Sequence, residues 1–227
     1  MAATMTQFQN AKRVHPALTA GVEKRLLCWV AERMPAWVNS DHLTMLGFVS
    51  QIGAGIAYAL SRFSSYGLLA ACVLIVLNWF GDSLDGTLAR VRNKQRPRYG
   101  FYVDHIIDAF GATAMMTGMA LSGFVHWQIA WAMLLGLLLA MIESFLTTYC
   151  LGDFHLSHGW FGPTELRIVL IIGNLRLLHS PYAHLGGKEF LLFDVGGVIA
   201  AAGMLVIALV AAARHTTALY RIETVWR

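Results

Sequence analysis

The chain has 227 residues, 57% of them hydrophobic and only 13% charged, with a formal net charge of +4. Soluble domains carry roughly 25% charged residues, so this composition excludes an ordinary soluble domain and, with its long apolar runs, places the chain in the membrane class. The small net charge matters through its distribution along the chain, and nucleic acid is not expected as a partner. Cys28, Cys72 and Cys150 lie far apart and make no metal-binding spacing, so they read as small buried hydrophobes.

Residues 1–16 read as a polar leader without the apolar stretch of a secretory signal, so the first span is expected to direct insertion. From Ala17 to Met34 the pattern changes. Leu18, Val22, Leu26 and Val30 recur every four residues beside Trp29, while Lys24, Arg25 and Arg33 lie off that stripe. The pattern predicts a cationic amphipathic helix lying on an anionic membrane face; the alternative is an ordinary helix packed on protein. Pro35 ends it, and Ser40 or Asp41 can cap the next helix.

Six transmembrane helices are predicted, over about 43–61, 67–89, 101–124, 127–149, 163–180 and 192–213. The third carries Gly111, Ala112, Gly118 and Ala120, which suit close helix packing, and the fifth opens at Pro163, a favoured first helical position. No repeat and no separate soluble domain is evident. The expected architecture is therefore an all-α integral membrane protein, with residues 1–34 as leader and juxtamembrane helix and 35–227 as a six-span domain.

Charge sets the expected orientation. With six spans, one side holds Lys12, Arg13, Lys24, Arg25, Arg33, Arg90, Arg92, Lys94, Arg96, Arg98, Arg214, Arg221 and Arg227; the other holds Arg62 and Lys188. Thirteen against two is a clear positive-inside bias. It puts both termini and the loop over 90–100 in the cytoplasm.

Two pairs of carboxylates flank that loop. Asp82 and Asp85 close one apolar run, and Asp104 and Asp108 open the next. Residues three or four apart share a helix face, so each pair projects together and a short loop can bring the pairs to one point. Clustered carboxylates in an apolar medium cannot all stay ionised without cations, and oxygen-only ligands suit hard ions such as Mg²⁺, Mn²⁺ or Ca²⁺. His105 lies about a hundred degrees off the shared face, which argues against zinc. Asp82 lies about 12 Å deeper along its helix than Arg90, so the site is expected as a polar cavity open to the cytosol. Gly86, Ala89 and Gly100 leave room beside the carboxylates, and a metal-bridged nucleotide diphosphate would fill it.

The pattern Asp82-x2-Asp85-Gly86-x2-Ala89-Arg90, nine residues, Gly100-x3-Asp104-x3-Asp108 resembles the signature of the CDP-alcohol phosphotransferases, with all eight positions filled within 27 residues. The resemblance implies that Asp82, Asp85 and Asp104 hold Mg²⁺ or Mn²⁺, as two ions, with Asp108 completing the cluster. It implies that Asp108 is the general base, taking the proton of an acceptor alcohol that attacks the β-phosphorus of a CDP-linked donor and expels CMP. Asp82, Gly86, Ala89, Arg90 and Gly100 would then bind the CDP moiety, and the protein would be a homodimer among membrane lipids.

CDP-diacylglycerol is the expected donor. The alternative is CDP-choline or CDP-ethanolamine with diacylglycerol, because the stretch from Thr148-Tyr149 through Gly162-Pro163-Thr164-Glu165 is loosely similar to choline and ethanolamine phosphotransferases. Glu143, Glu165 and Arg167 are candidates for an acceptor or lipid-phosphate site; structural ion pairing is the competing reading, for them and for Arg176. Asn78 stands four residues before Asp82, either supporting it or packing. Asp194 reads as a helix N-terminal charge, and His155 and His158 as solvated loop residues. Two other classes compete. A membrane prenyltransferase would want Asn-x3-Asp-x3-Asp, which Asn78 and Asp82 begin and Asp85 breaks. A cation transporter would explain the acids but not Gly86, Ala89, Arg90 and Gly100.

Overall fold

The structure is a computed structural model and describes residues 12–13, 20–151, 153–154 and 162–223. The expected leader over 1–16 falls almost entirely outside these residues, as do Leu18, His155 and His158. Seven helices follow one another: α1 (Ala20–Arg33), α2 (Ser40–Ser61), α3 (Tyr66–Val91), α4 (Pro97–Ser122), α5 (Trp127–Leu151), α6 (Pro163–Leu177) and α7 (Leu192–Ile222). Two short strand pairs accompany them. Lys12–Arg13 runs parallel to Asp153–Phe154, and Tyr182–Leu185 pairs antiparallel with Lys188–Leu191 between α6 and α7.

Among the described residues, α2, α3, α5 and α7 are long and apolar enough to cross a membrane. Their outward faces are apolar, with Val49 and Ile56 on α2, Val73 and Val76 on α3, and Val206 and Leu209 on α7 all exposed. The other two expected spans are helices at the expected places but differ in character. Helix α4 has 26 residues, yet Arg98, Asp104 and Asp108 dilute its apolar run. Helix α6 has 15 residues and is about 22 Å long, short of the roughly 30 Å hydrocarbon core. It stops at Leu177 rather than near 180, because the chain turns at Ser180 into Pro181, which cannot continue a helix.

Glycines fix how closely the helices cross. A methyl group added at Gly118 of α4 would run into the Gly55 carbonyl of α2, and one added at Gly55 would meet the backbone of Ala114. One added at Gly81 of α3 would lie 2.5 Å from the Leu43 carbonyl oxygen and 2.6 Å from the Gly47 nitrogen. Helices α2, α3 and α4 therefore touch backbone to backbone, and the Gly47–Gly81 crossing lies one residue from Asp82. Tyr58, Leu68, Ile75 and Met119 fill the core beside these crossings, while Leu27, Ala31, Leu43, Leu84 and Leu88 form a second cluster that seats α1 on α3.

Helix α1 is present. Leu27 and Ala31 are buried against α3, while Leu26, on the expected apolar stripe, is 48% exposed and Trp29 54%. Cys150 is exposed although it sits in an apolar run and is expected to be buried; in a membrane protein an apolar side chain can face lipid as well as the core, so apolar periodicity alone does not say which face is inside.

Replacement of Gly118 by Leu is expected to lower the melting temperature of the lipid-reconstituted protein or prevent its folding, since overpacking typically costs about 1–3 kcal/mol and more when backbone must move. Replacement of Gly203 by Ala, where an added methyl meets nothing within 4 Å, should leave the melting curve in place. Equal melting of both variants would contradict the backbone contact.

Candidate active site

The chain leaves α3 at Arg92, reverses through Asn93 in the left-handed region (φ 52°) and enters α4 at Pro97. Asparagine tolerates that conformation, and proline suits a first helical turn. The reversal is tied down by its own basic residues. The Arg92 guanidinium donates to the carbonyls of Met34 and Pro35, each at 2.9 Å, and of Val38. Arg96 pairs with Asp41 in the first turn of α2 and lies over the Tyr99 ring at 4.1 Å.

With the helix ends held this way, Asp82 of α3 and Asp104 and Asp108 of α4 converge, each offering a carboxylate oxygen within 4.8 Å of the others. They line a small cleft, bounded on the α2 side by Thr44, Gly47, Phe48 and Gln51. Asp85 lines the same cleft but stands outside that trio. Its carboxylate accepts the Thr44 hydroxyl at 2.6 Å, its carbonyl accepts the Ser40 hydroxyl at 2.9 Å, and its other carboxylate oxygen meets the Gly86 N–H. Three carboxylates from two helices, with no sulfur or imidazole among them, are a donor set for a hard divalent cation. His105 is not one of the three: its Nδ1 lies 2.6 Å from the Phe101 carbonyl oxygen and 4.0 Å from Asp104 Oδ2, and its ring packs against Phe101 and Phe145.

Arg167 enters from α6. Its Nη2 donates to Asp82 Oδ2 at 2.6 Å and its Nε donates to Asn78 Oδ1 at 3.0 Å, while Asn78 Nδ2 donates to the Gly47 carbonyl at 3.0 Å. Asn78 thus both packs α3 on α2 and braces the arginine. Of the expected acceptor residues, only Arg167 reaches the carboxylates. Glu143 of α5 is bonded to Thr147 at 2.8 Å and to His215 of α7 at 2.5 Å. Glu165 accepts the Gly162 N–H at 3.0 Å and caps α6. Arg176 donates to the Ser180 carbonyl beyond α6, and Asp194 accepts both the backbone N–H and the ring of His126.

Gly86, Ala89, Arg90 and Gly100, expected to border the nucleotide's place, are not among the residues that line this cleft. A methyl group added at Gly86 would meet only the Arg90 guanidinium, at 3.4 Å, and one added at Gly100 would meet nothing within 4 Å. These two glycines border space, unlike Gly55, Gly81 and Gly118, which are filled by neighbouring backbone. Arg90 is exposed and donates to Thr87 at 2.9 Å; Ala89 is partly buried. Thr44, Gln51 and His215 carry no sequence signal, since each lies far along the chain from the residue it serves.

An α-helical fold with an oxygen-only acidic site at the ends of apolar helices defines a membrane protein with a site that could hold a divalent cation. The family model for CDP-alcohol phosphatidyltransferase matches residues 37–213, and the chain belongs to that family. Family and apolar helices together make it an integral membrane protein. The archaetidylinositol phosphate synthase of Pyrococcus horikoshii is 28% identical over 99 residues, 44% of this chain and 50% of that protein. The phosphatidylinositol phosphate synthase of Cutibacterium acnes is 37% identical over 86 residues, 38% of this chain and 39% of that protein. The chain thus spans half or less of the curated relatives it matches. The crystal structure of the Mycobacterium tuberculosis phosphatidylinositol phosphate synthase with CDP-DAG bound shares the fold, with a TM-score of 0.55 over 88% of this chain and 94% of that one at 16% identity.

A cation at the trio must compete with Arg167 for Asp82. Unit charges about 4 Å apart interact by about 4 kcal/mol at an effective dielectric of 20, so Arg167→Met should raise Mn²⁺ affinity at least about tenfold even after solvent relaxation. Titration followed by electron paramagnetic resonance on the purified protein checks this; unchanged or weaker binding in a folded variant would contradict the competition.

Proposed function

We propose that the protein transfers a substituted phosphate group from a CDP-linked donor, CDP-diacylglycerol foremost, to the hydroxyl of an acceptor alcohol and releases CMP. The observation that carries this reading is the convergence of Asp82, Asp104 and Asp108 in a chain of this family. The relatives' names and the CDP-DAG of the mycobacterial structure support the choice of donor.

Asp82, Asp85, Asp104 and Asp108 would hold Mg²⁺ or Mn²⁺, as two ions, which when bound neutralise the diphosphate and the charge moving to the leaving group. Asp108 takes the acceptor's hydroxyl proton. The acceptor oxygen then bonds to the β-phosphorus, the bond from that phosphorus to the bridging oxygen breaks, and its electron pair leaves on CMP. The open space at Gly86 and Gly100 accommodates the cytidine, with Ala89 along the same edge and Arg90 beside the phosphates. Arg167, with Asn78 behind it, is the cationic group on the acceptor side.

In the bilayer, α2 to α7 form six spans, with α4 crossing as a more polar helix and α6 as a short one. The paired strands Tyr182–Leu185 and Lys188–Leu191 extend α6 at the far surface. Helix α1 lies on the cytoplasmic surface with Leu26 and Trp29 toward lipid, and the active site opens to the same side; the membrane is the inner membrane in a bacterium or an endoplasmic-reticulum-type membrane in a eukaryote. The boundary between the juxtamembrane segment and the six-span domain falls near residue 34, and the working form is a homodimer.

The test is Asp108→Asn, which keeps the side chain's size and removes its basicity. Turnover should fall by at least about a thousandfold, within the range general-base loss gives, while CDP protects the variant from heat as it does the unaltered protein. Full turnover in Asp108→Asn would remove it as the base.

A further inference from the structure

Besides its apolar seat on α3, helix α1 bonds to the active-site helices through the Glu23 carboxylate. Glu23 Oε1 accepts the indole N–H of Trp79 at 2.8 Å and the hydroxyl of Ser83 at 3.2 Å, both on α3. The hydroxyl of Thr164, on α6, lies 3.1 Å from Glu23 Oε1 and 3.2 Å from Oε2, so its single proton is shared between them. Trp79 and Ser83 each follow by one residue the two α3 residues that Arg167 holds, Asn78 and Asp82. Thr164 lies three residues before Arg167, one turn earlier on the same face of α6. The same two helices are therefore joined twice: on the cavity side by Arg167, and toward α1 by Glu23.

An acid in the first turn of a helix stabilises that helix by its position alone, and α1 gains that much from Glu23. Position alone does not account for three donors drawn from two other helices. Among the described residues, α6 packs chiefly on α3 and touches α7 less, and a deeper anchor, the Tyr58 hydroxyl donating to Asn174 at 3.0 Å, lies two turns beyond Arg167.

We infer that Glu23 is a positioning residue for the transfer reaction: it clasps the first turn of α6 to α3, so that Arg167 stands against Asp82 and Asn78. The inference rests on the transferase reading and extends it, because α1 becomes part of the scaffold that sets the acceptor side of the site. Leu26 and Trp29, exposed on the same helix, tie that scaffold to the lipid surface.

The experiment uses the full chain in lipid nanodiscs, as Glu23→Ala, Glu23→Gln, Arg167→Ala and the Glu23→Ala/Arg167→Ala double variant. Hydrogen exchange needs no activity. In Glu23→Ala, amides of 166–170 should exchange about tenfold faster while α2 and α3 keep their protection, and Glu23→Gln, which keeps an Oε1 acceptor, should stay near the unaltered protein. In the CMP-release assay, Glu23→Ala should raise KM for the acceptor alcohol about tenfold with kcat changed less than about threefold, and the double variant should be no worse than Arg167→Ala, since the two act as a unit. Unchanged exchange in α6, additive losses in the double variant, or a fall in kcat that tracks the folded fraction would overturn the inference. Should the unaltered protein release no CMP from any donor, the transferase reading falls, and the exchange measurement still decides whether Glu23 holds α6.

Discussion

Asp82, Asp104 and Asp108 bring three carboxylate oxygens within 4.8 Å of one another at the ends of apolar helices. Their mutual repulsion is the constraint that the rest of the structure answers. Like charges this close in a poorly solvated setting cannot all remain ionised without a compensating cation. Arg167 supplies part of that compensation by bonding Asp82, and a divalent ion at the trio would supply the rest. Asp85 is kept apart by giving one oxygen to Thr44. The cluster is thus a charged centre balanced from several helices, and each partner comes from a different part of the chain.

Convergence of that kind needs backbones that approach closely and do not drift. The glycine contacts between α2 and α3 and between α2 and α4 supply the approach. Arg92 and Arg96 supply the fixity, by spending charges of the α3–α4 loop on the carbonyls before α2 and on Asp41. Basic residues here therefore do two jobs. Their charge is of the kind that would bias orientation in a membrane, and they tie down the turn between the two carboxylate-bearing helices.

The sequence was legible wherever spacing along one helix carried the information. The approach of Asp82, Asp104 and Asp108 and the starts of the helices are features of local period: each helix among the described residues begins within about four residues of where the pattern puts it, although α7 runs on to Ile222, past the expected end at 213, and Asp85 stands outside the trio. Contacts between distant segments were not legible. Nothing in the spacing shows that Thr44 would meet Asp85, that Glu143 would pair with His215, or that Arg167 would reach Asp82 while Glu165 capped its own helix. At α1 the stripe with Leu26 and Trp29 was legible as an outward apolar face, but the second line, Leu27 and Ala31, that seats the helix on α3 was not, because lipid and protein core attract the same side chains.

The account's central claim is that this carboxylate centre moves a substituted phosphate from a CDP-linked lipid to an alcohol. The most direct measurement is CMP release by the purified protein in lipid vesicles, with CDP-diacylglycerol, a panel of polar alcohols, and Mg²⁺ or Mn²⁺ present or withheld. The account predicts release that requires both the cation and one acceptor, with one new phospholipid formed per CMP. Absence of release from CDP-diacylglycerol, CDP-choline and CDP-ethanolamine alike, by folded protein with cation bound, would contradict it.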